Sequence, residues 1–321
     1  MAKAATRSRK PADAAQSASV DPKRASVDPA DVARFNALGE EWWDLWGPMR
    51  ALHKLNPTRV DYIREILVEE LKSLHPEEPR SGVSKDRRGD GVSPSFETRP
   101  TQIGPARFEQ AMSISRRRDI DGAPQDEESG KSHGPLAGLS VLDIGCGAGI
   151  LSEPMAALGA KMTSVDPAPM NIEVAKAHAA KACLEIDYRA ITAEELAATG
   201  AQFDAVLIME VVEHVNDRTA FIATAASLVR PGGFLFAATL NRTMKSYALA
   251  IVGAEYILRW VKRGTHNWEQ FVTPQELAKD FRAAGLEIYD QTGVVYHPIF
   301  DEWRTSEDCS VNYMMAAQKP A

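Results

Sequence analysis

The chain has 321 residues, a formal net charge of −7 and a sequence pI near 5.6. Proteins that bind a phosphate backbone usually carry a basic face, so nucleic acid is not an expected partner. The three cysteines are too few and too scattered for a disulfide framework or a CxxC zinc site, which favours a reducing compartment. No apolar run reaches the ~20 residues that a membrane-spanning helix needs.

Residues 1–27 are rich in Ala, Ser and Arg and lack the apolar run of a secretory signal peptide. They predict a disordered tail. A mitochondrial transit peptide is the alternative, although Asp13 interrupts the basic segment and no amphipathic face develops before Pro11.

Helical patterning begins at Asp28, an N-cap residue followed by Pro29 at the first helical position. A second helix is predicted from about Asn56 to Leu74, with the same apolar spacing. Residues 28–75 are therefore expected to pack on a core. The apolar face of the first helix consists of Val32, Phe35, Leu38 and Trp42.

Residues 76–135 lack the regular spacing of apolar residues and are rich in Gly, Pro, Ser and charged residues. This composition predicts a flexible insertion. The arginine triplet at 116–118 is interpreted as a solvated surface. Residues 136–318 then alternate strands with helices, and the strands are continuously apolar. This alternation predicts an α/β fold with a doubly wound, mostly parallel sheet and an antiparallel C-terminal part.

The expected core elements follow one another in chain order. The strands are 141–144, 161–165, 186–189, 203–209, 234–240, 286–296 and 310–317. The helices begin near Gly149, Met170 and Phe221, and another opens at Thr273-Pro274.

A strand running into a glycine-rich turn, 141–149, is typical of a nucleotide-type cofactor site. Gly145 and Gly147 follow an acidic residue, Asp143, and Asp166 ends the next strand about 20 residues beyond the turn, where a ribose-binding acid is expected. The turn reads GxGxG rather than GxGxxG, which favours S-adenosylmethionine because that molecule has no pyrophosphate.

Met209 ends the fourth predicted strand at the sheet edge where open α/β folds bind ligands, so it is expected to contact the cofactor. The run Ile208–Val215 and the segment Leu228–Gly233 resemble the class I methyltransferases. That family implies a Rossmann-like, seven-stranded sheet.

Longer segments resemble, more specifically, the ubiquinone biosynthesis O-methyltransferase family. The resemblance covers about 30–75 and 136–318 and leaves the insertion unexplained. Its segments are Phe35-Asn36-Ala37, Trp42-Trp43-Asp44, Leu52-His53-Lys54-Leu55-Asn56-Pro57-Thr58-Arg59, Thr239-Leu240-Asn241-Arg242, Val252-Gly253-Ala254-Glu255-Tyr256-Ile257-Leu258 and Val311-Asn312-Tyr313-Met314.

The resemblance implies S-adenosyl-L-methionine as the methyl donor and a catechol-type hydroxyl of a polyprenylated ubiquinone precursor as the acceptor, in both O-methylation steps. It also implies that Arg59 grips the methionine carboxylate of the donor, although a surface ion pair is the alternative for this residue. Other enzymes of ubiquinone biosynthesis are further expected partners.

The candidates for removing the hydroxyl proton follow Met209 in the chain: Glu210, Glu213 and His214. If a helix begins at Glu210, they stand at i, i+3 and i+4 on one face, which suits a general base or a divalent cation such as Mg²⁺. Alternatively, Glu213 and His214 have a structural role and stabilise the strand-to-helix turn that follows Met209.

Residues 242–266 form an apolar segment with basic ends and aromatic residues, too short to span a membrane. A membrane-contact segment and a lid over the site are both compatible with it. We therefore expect a cytoplasmic protein on the surface of the inner membrane, or its equivalent on the mitochondrial matrix side. A methyltransferase with another small-molecule substrate, and a catalytically idle membrane-associated scaffold, remain alternatives.

Overall fold

The computed structural model describes residues 27–74, 134–248 and 268–321. Residues 1–26 of the tail expected at 1–27, residues 76–133 of the insertion expected at 76–135 and residues 249–266 of the 242–266 segment lie outside these described residues.

Two helices and a 3₁₀ turn form the N-terminal block. Helix α1 is Pro29–Asn36, and the side chain of Asp28 accepts a hydrogen bond from Ala30 N at 2.8 Å, which confirms the predicted N-cap. The apolar spacing predicted one helix through Trp42. This was wrong, because Gly39 has φ +51° and opens a separate 3₁₀ turn, Gly39–Trp43.

Helix α2 is Arg50–Leu74 and begins earlier than the predicted Asn56. The sequence prediction rested on the apolar spacing, which begins only at Val60. In the structure Pro57 lies inside the helix.

The core is a sheet in the order β3-β2-β1-β4-β5-β8-β6-β7. Strands β1 to β5 pair in parallel, and β8, β6 and β7 complete the sheet with antiparallel pairs, as expected for the class I methyltransferase fold. The sheet has eight strands rather than the expected seven. The strands are β1 Ser140–Ile144, β2 Lys161–Val165, β3 Asp187–Arg189, β4 Phe203–Met209, β5 Val229–Leu240, β6 Glu287–His297, β7 Glu302–Ser306 and β8 Asn312–Gln318.

Helices follow the parallel strands, as the alternation predicted. Further 3₁₀ turns are Val212–His214 and Trp268–Gln270. The helices are α3 Ser152–Ala157, α4 Pro169–Lys181, α5 Ala193–Ala197, α6 Arg218–Ser227, the single turn α7 Met244–Ser246, and α8 Pro274–Ala283.

The two faces of the sheet carry separate buried clusters, and β4 shows how the site is placed between them. Leu207 and Met209 point to the face covered by α2, where Ile63 is fully buried, while Val206 and Ile208 point to the face covered by α6 and α8. This alternation follows from the two-residue period of a strand. It puts Met209 on the same face as helix α2.

Candidate active site

A cavity of about 640 Å³ opens at the carboxyl ends of β1, β2 and β4. Its size is typical of small-molecule sites, and its position is where open α/β sheets bind ligands. It is lined by every residue that the sequence singled out: Arg59, Asp143, Gly145, Gly147, Asp166, Met209, Glu210, Glu213 and His214.

The glycine-rich turn is folded tightly against the end of β2. The backbone N–H groups of Gly145 and Cys146 both donate to Val165 O, at 2.8 and 3.1 Å. At Gly147, where φ is +53°, an added Cβ would come within 2.5 Å of the Trp42 ring. The glycine is therefore required by packing of the N-terminal block.

The carboxylate of Asp166 is fixed by three donors. Oδ2 accepts from Gly147 N at 3.0 Å, and Oδ1 accepts from Ala168 N at 2.8 Å and from Asn171 Nδ2 at 3.2 Å. Burial raises the pKa of Asp166 and these hydrogen bonds lower it. A carboxylate has about four acceptor positions, so capacity remains for a ligand hydroxyl.

A hydrogen-bond chain ties Asp166 to the N-terminal block. Trp42 Nε1 donates to Asn171 Oδ1 at 2.9 Å, and Asn171 in turn donates to Asp166. Trp42 is 6% exposed. The orientation of the predicted ribose-binding acid therefore depends on a side chain more than a hundred residues away in sequence.

Asp143 is a buried acid at the end of β1. Its Oδ2 accepts from Ser152 Oγ at 2.6 Å, and Ser164 Oγ donates to Ser152 Oγ at 3.0 Å. Burial raises the pKa of Asp143 to about 6, against the lowering effects of Ser152 and the Arg59 charge.

Arg59 is the one buried arginine among the described residues, at 3% exposed. Its Nη2 donates to Asn56 Oδ1 at 2.8 Å, while its Nε finds no hydrogen-bond partner in the part of the chain that the structure describes. Burial lowers its pKa, and the charges of Glu210 and Asp143 raise it. The predicted surface ion pair is thus not observed; the guanidinium faces the cavity with donor capacity to spare.

The helix predicted to begin at Glu210 does not form. Glu210 has φ +58°, a left-handed conformation that interrupts a right-handed helix, and only Val212–His214 make a 3₁₀ turn. The i, i+3, i+4 arrangement predicted for Glu210, Glu213 and His214 was therefore wrong. Among the described residues, no group of three or more His, Cys, Asp or Glu side chains is arranged to hold a metal ion.

Each of these three side chains has its own environment at the cavity wall. Glu213 is buried and accepts from Thr239 Oγ1 at 2.9 Å; burial and the neighbouring charge of Glu210 raise its pKa. Burial also raises the pKa of Glu210, against the effect of Arg59. His214 contacts Asp31 of α1, with 3.1 Å between Nδ1 and Oδ2.

The rest of the cavity wall is largely apolar. Side chains from α2 and from the β6–β7 region contribute to it, namely Leu52, Leu55, Val294, Val295 and Trp303. The cavity lining therefore combines groups suited to proton transfer with apolar side chains suited to a hydrocarbon group.

Comparison with known proteins assigns the chain to a family. A family model described as a methyltransferase domain matches residues 109–291. The ubiquinone biosynthesis O-methyltransferase of Methylocella silvestris is 48% identical over 92% of this chain and 95% of its own length. That of Methylobacterium sp. (strain 4-46) is 46% identical over 94% of this chain and 98% of its own length. The chain belongs to the ubiquinone biosynthesis O-methyltransferase family.

Membership makes the chain an S-adenosylmethionine-dependent O-methyltransferase, and the cavity fits that donor. The donor carries a carboxylate and a ribose. Arg59 offers a buried guanidinium with an unpartnered Nε, and Asp166 offers an oriented carboxylate. The fit is one of complementary charge and hydrogen bonding within one cavity.

Several site residues were not predicted from the sequence. Asp31, Trp42, Asn56 and Asn171 all hold or orient a predicted residue. Trp42 and Asn56 lie in the segments that carried the family resemblance, which was an available signal. No sequence signal identified Asp31 or Asn171, because their hydrogen-bond partners are determined by tertiary structure alone.

Proposed function

We propose that this enzyme methylates catechol-type hydroxyls of polyprenylated ubiquinone precursors, in both O-methylation steps, including conversion of demethylubiquinol to ubiquinol. Relatives that share 42–48% identity are named ubiquinone biosynthesis O-methyltransferases, which supports a quinone-type acceptor. The observation that carries the proposal is the lining of the cavity, which combines the ionisable groups of Glu213 and His214 with apolar side chains of α2, β6 and β7.

The donor supplies an electrophilic methyl group on a sulfonium, and the protein must align an acceptor oxygen with it and remove the hydroxyl proton. His214 and Glu213 are the groups that we assign to the proton. Burial and the charge of Glu210 raise the pKa of Glu213, which favours its protonated form, so His214 is the group that accepts the proton first. Met209, buried on the α2 face, is assigned to the adenosyl side of the donor.

The proton-transfer assignment is tested with labelled methyl transfer to a short-tailed demethylubiquinol. His214→Ala should lose turnover by at least about 100-fold, as is typical for a general base, while the affinity for S-adenosylhomocysteine stays within about twofold. Glu173→Gln is the control, since Glu173 lies on the exposed side of α4 and pairs only with Lys176, at 3.9 Å. Equal loss of turnover and donor affinity in His214→Ala would instead assign His214 a structural role.

We further propose that the enzyme works on the surface of the inner membrane, where its polyprenylated substrate resides. Four exposed apolar residues lie within three positions, in sequence, of the cavity-lining Pro48 or Pro298 and are termed the apolar rim: Leu45, Trp46, Ile299 and Phe300. The exposed fraction is 79% for Trp46 and 82% for Ile299. Pro48 and Pro298, beside the rim, line the cavity itself.

Cations accompany the apolar rim. The Arg50 guanidinium lies 4.9 Å from the centre of the Trp46 ring, and that of Arg304 lies 5.0 Å from the centre of the Phe300 ring. Aromatic rings with nearby cations suit the headgroup region of an anionic membrane. No helix of the described residues is long and apolar enough to cross a membrane.

The membrane proposal is tested by sedimentation with anionic liposomes. Binding should weaken as salt rises, because screening removes the contribution of the cations. Trp46→Ser combined with Ile299→Ser should weaken binding, whereas Tyr289→Ser should not, since Tyr289, 40% exposed, lies near the start of β6, at the other end of that strand from Ile299. Absence of wild-type binding at low ionic strength would refute the proposal.

A further inference from the structure

The turn that carries His214 is joined to helix α1 by a hydrogen bond across the cavity edge. His214 Nδ1 lies 3.1 Å from Asp31 Oδ2, and the two residues are 183 positions apart in sequence. Both line the cavity, and their side chains are 20% and 21% exposed. The contact is therefore partly shielded from water and lies beside the proposed acceptor site.

The chemistry of this contact fixes the position of a proton. An ionised carboxylate only accepts hydrogen bonds, so the shared hydrogen resides on His214 Nδ1. In a neutral imidazole the other ring nitrogen, Nε2, then carries the lone pair. That nitrogen is the one able to accept a proton from a substrate hydroxyl.

Asp31 is itself held in place on both sides. Its Oδ1 pairs with Arg34 at 3.0 Å, and the cap of Asp28 fixes where α1 starts. As an acidic residue in the first turn, Asp31 also suits the positive end of the helix dipole. The carboxylate is thus presented to His214 by a helix of defined register.

Two further contacts hold the His214 ring and its turn against the same segment. The edge-to-face contact with Phe35 has ring centres 5.4 Å apart and an interplanar angle of 79°. Immediately after His214, Val215 forms an antiparallel bridge with Val27. The N-terminal segment therefore determines both the ring orientation and the position of the turn.

We propose that Asp31 is a positioning residue for proton removal: it holds His214 as the Nδ1–H tautomer with Nε2 directed to the acceptor hydroxyl. The proposal rests on the proposed function, since it requires His214 as the base. When the substrate O–H bond breaks, its electron pair stays on oxygen and the proton bonds to Nε2. The Asp31 carboxylate then stabilises the imidazolium that forms.

The test compares two variants that each alter a hydrogen bond between α1 and the core. Asp31→Asn keeps the shape and removes the charge. Asn36→Ala is the control, because Asn36 Oδ1 accepts from Met170 N at 2.9 Å and does not touch His214. Three quantities are measured on the full chain: kcat with short-tailed demethylubiquinol, the affinity for S-adenosylhomocysteine, and the ¹⁵N NMR shifts of the His214 ring, assigned by comparison with His214→Ala.

We expect the wild-type ring to show the Nδ1–H tautomer, and Asp31→Asn to lose that preference. Its kcat should fall at least about tenfold with donor affinity unchanged, and Asp31→Glu should recover part of the loss. Asn36→Ala should change none of the three. An Nε2–H tautomer in the wild type, an unchanged kcat in Asp31→Asn, or a parallel loss of kcat and donor affinity would each overturn the proposal. The NMR measurement needs no substrate, so it decides the tautomer even if the catechol activity fails.

Discussion

At the scale of single residues, the site is defined by buried ionisable side chains. Arg59, Asp143 and Glu213 are each at most 6% exposed. Burying an ionised group is costly unless it is paired or hydrogen-bonded. Each of these carboxyls has a raised pKa and the arginine a lowered one, all because of burial. Such a site favours a ligand that brings the missing partners.

Removal of the Arg59 charge should weaken donor binding selectively. Arg59→Met is expected to raise the Kd for S-adenosylhomocysteine about 10- to 100-fold, since a hydrogen bond to a charged group contributes roughly 1.5–3 kcal/mol. Titration calorimetry measures this Kd. Arg64→Met on the same helix is the control, because Arg64 pairs with Asp61 at 3.2 Å and does not line the cavity. Equal affinities in the wild type and Arg59→Met would remove Arg59 from the donor site.

Asp143 predicts a pH dependence of stability. Its folded pKa of about 6 lies above the ordinary value of 3.8, so the folded chain binds more protons than the unfolded chain between these pH values. Stability relative to Asp143→Asn should therefore fall as pH rises from 4 to 6, by up to about 1.4 kcal/mol for each pH unit. Urea unfolding of the ligand-free proteins at several pH values checks this. Parallel pH profiles of the two proteins would contradict it.

The residues that line the site could be predicted from local sequence, but most of their partners could not. Asp143, Gly145 and Asp166 stand at fixed distances along a strand–turn–helix unit, so their register is local. The contacts of Trp42 with Asn171 and of Asp31 with His214 join segments that are far apart in the chain. No spacing rule within one sequence encodes such a pairing.

At the scale of elements, boundaries depend on single backbone conformations. Strand β2 has the predicted bounds Lys161–Val165, because it lies between clear turn residues, Gly159 before it and Asp166-Pro167 after it. Helix α1 is shorter than predicted because Gly39 adopts positive φ. Strand β7 was missed because it is a short edge strand of mixed polarity, Glu302–Ser306. Periodicity reports the buried face of an element better than its ends.

The contact between the glycine-rich turn and the 3₁₀ turn can be tested with matched glycine variants. Gly147→Ala and Gly200→Ala both place a side chain at positive φ, which costs roughly 1–2 kcal/mol. Only the first would collide with the Trp42 ring, since the space at Gly200 is open. We expect both variants to be destabilised in urea unfolding, and Gly147→Ala alone to bind S-adenosylhomocysteine at least about tenfold more weakly, because an affinity loss of about 1.4 kcal/mol is tenfold. Equal donor affinities in the two variants would show that Trp42 does not govern the Asp166 side of the cavity.

At the scale of the whole molecule, one sheet brings together blocks that are separate in sequence. Helix α2 covers the face on which Met209 lies, and the 3₁₀ turn Gly39–Trp43 packs on the glycine-rich turn. The antiparallel strands β6 to β8 add an apolar wall and half of the apolar rim. A cavity lined by polar groups at the ends of the parallel strands and by apolar residues of the antiparallel strands suits an acceptor with a reactive ring and a hydrocarbon tail.

Labelled methyl transfer by the full chain to short-tailed demethylubiquinol tests the central claim most directly. Mass spectrometry of the product should show one labelled methyl group on the free catechol oxygen, forming the short-tailed ubiquinol, and no transfer to an analogue in which that oxygen is already methylated. Binding of S-adenosylhomocysteine without a labelled quinol product would contradict the proposed acceptor, and absence of donor binding would contradict the assignment of the cavity itself.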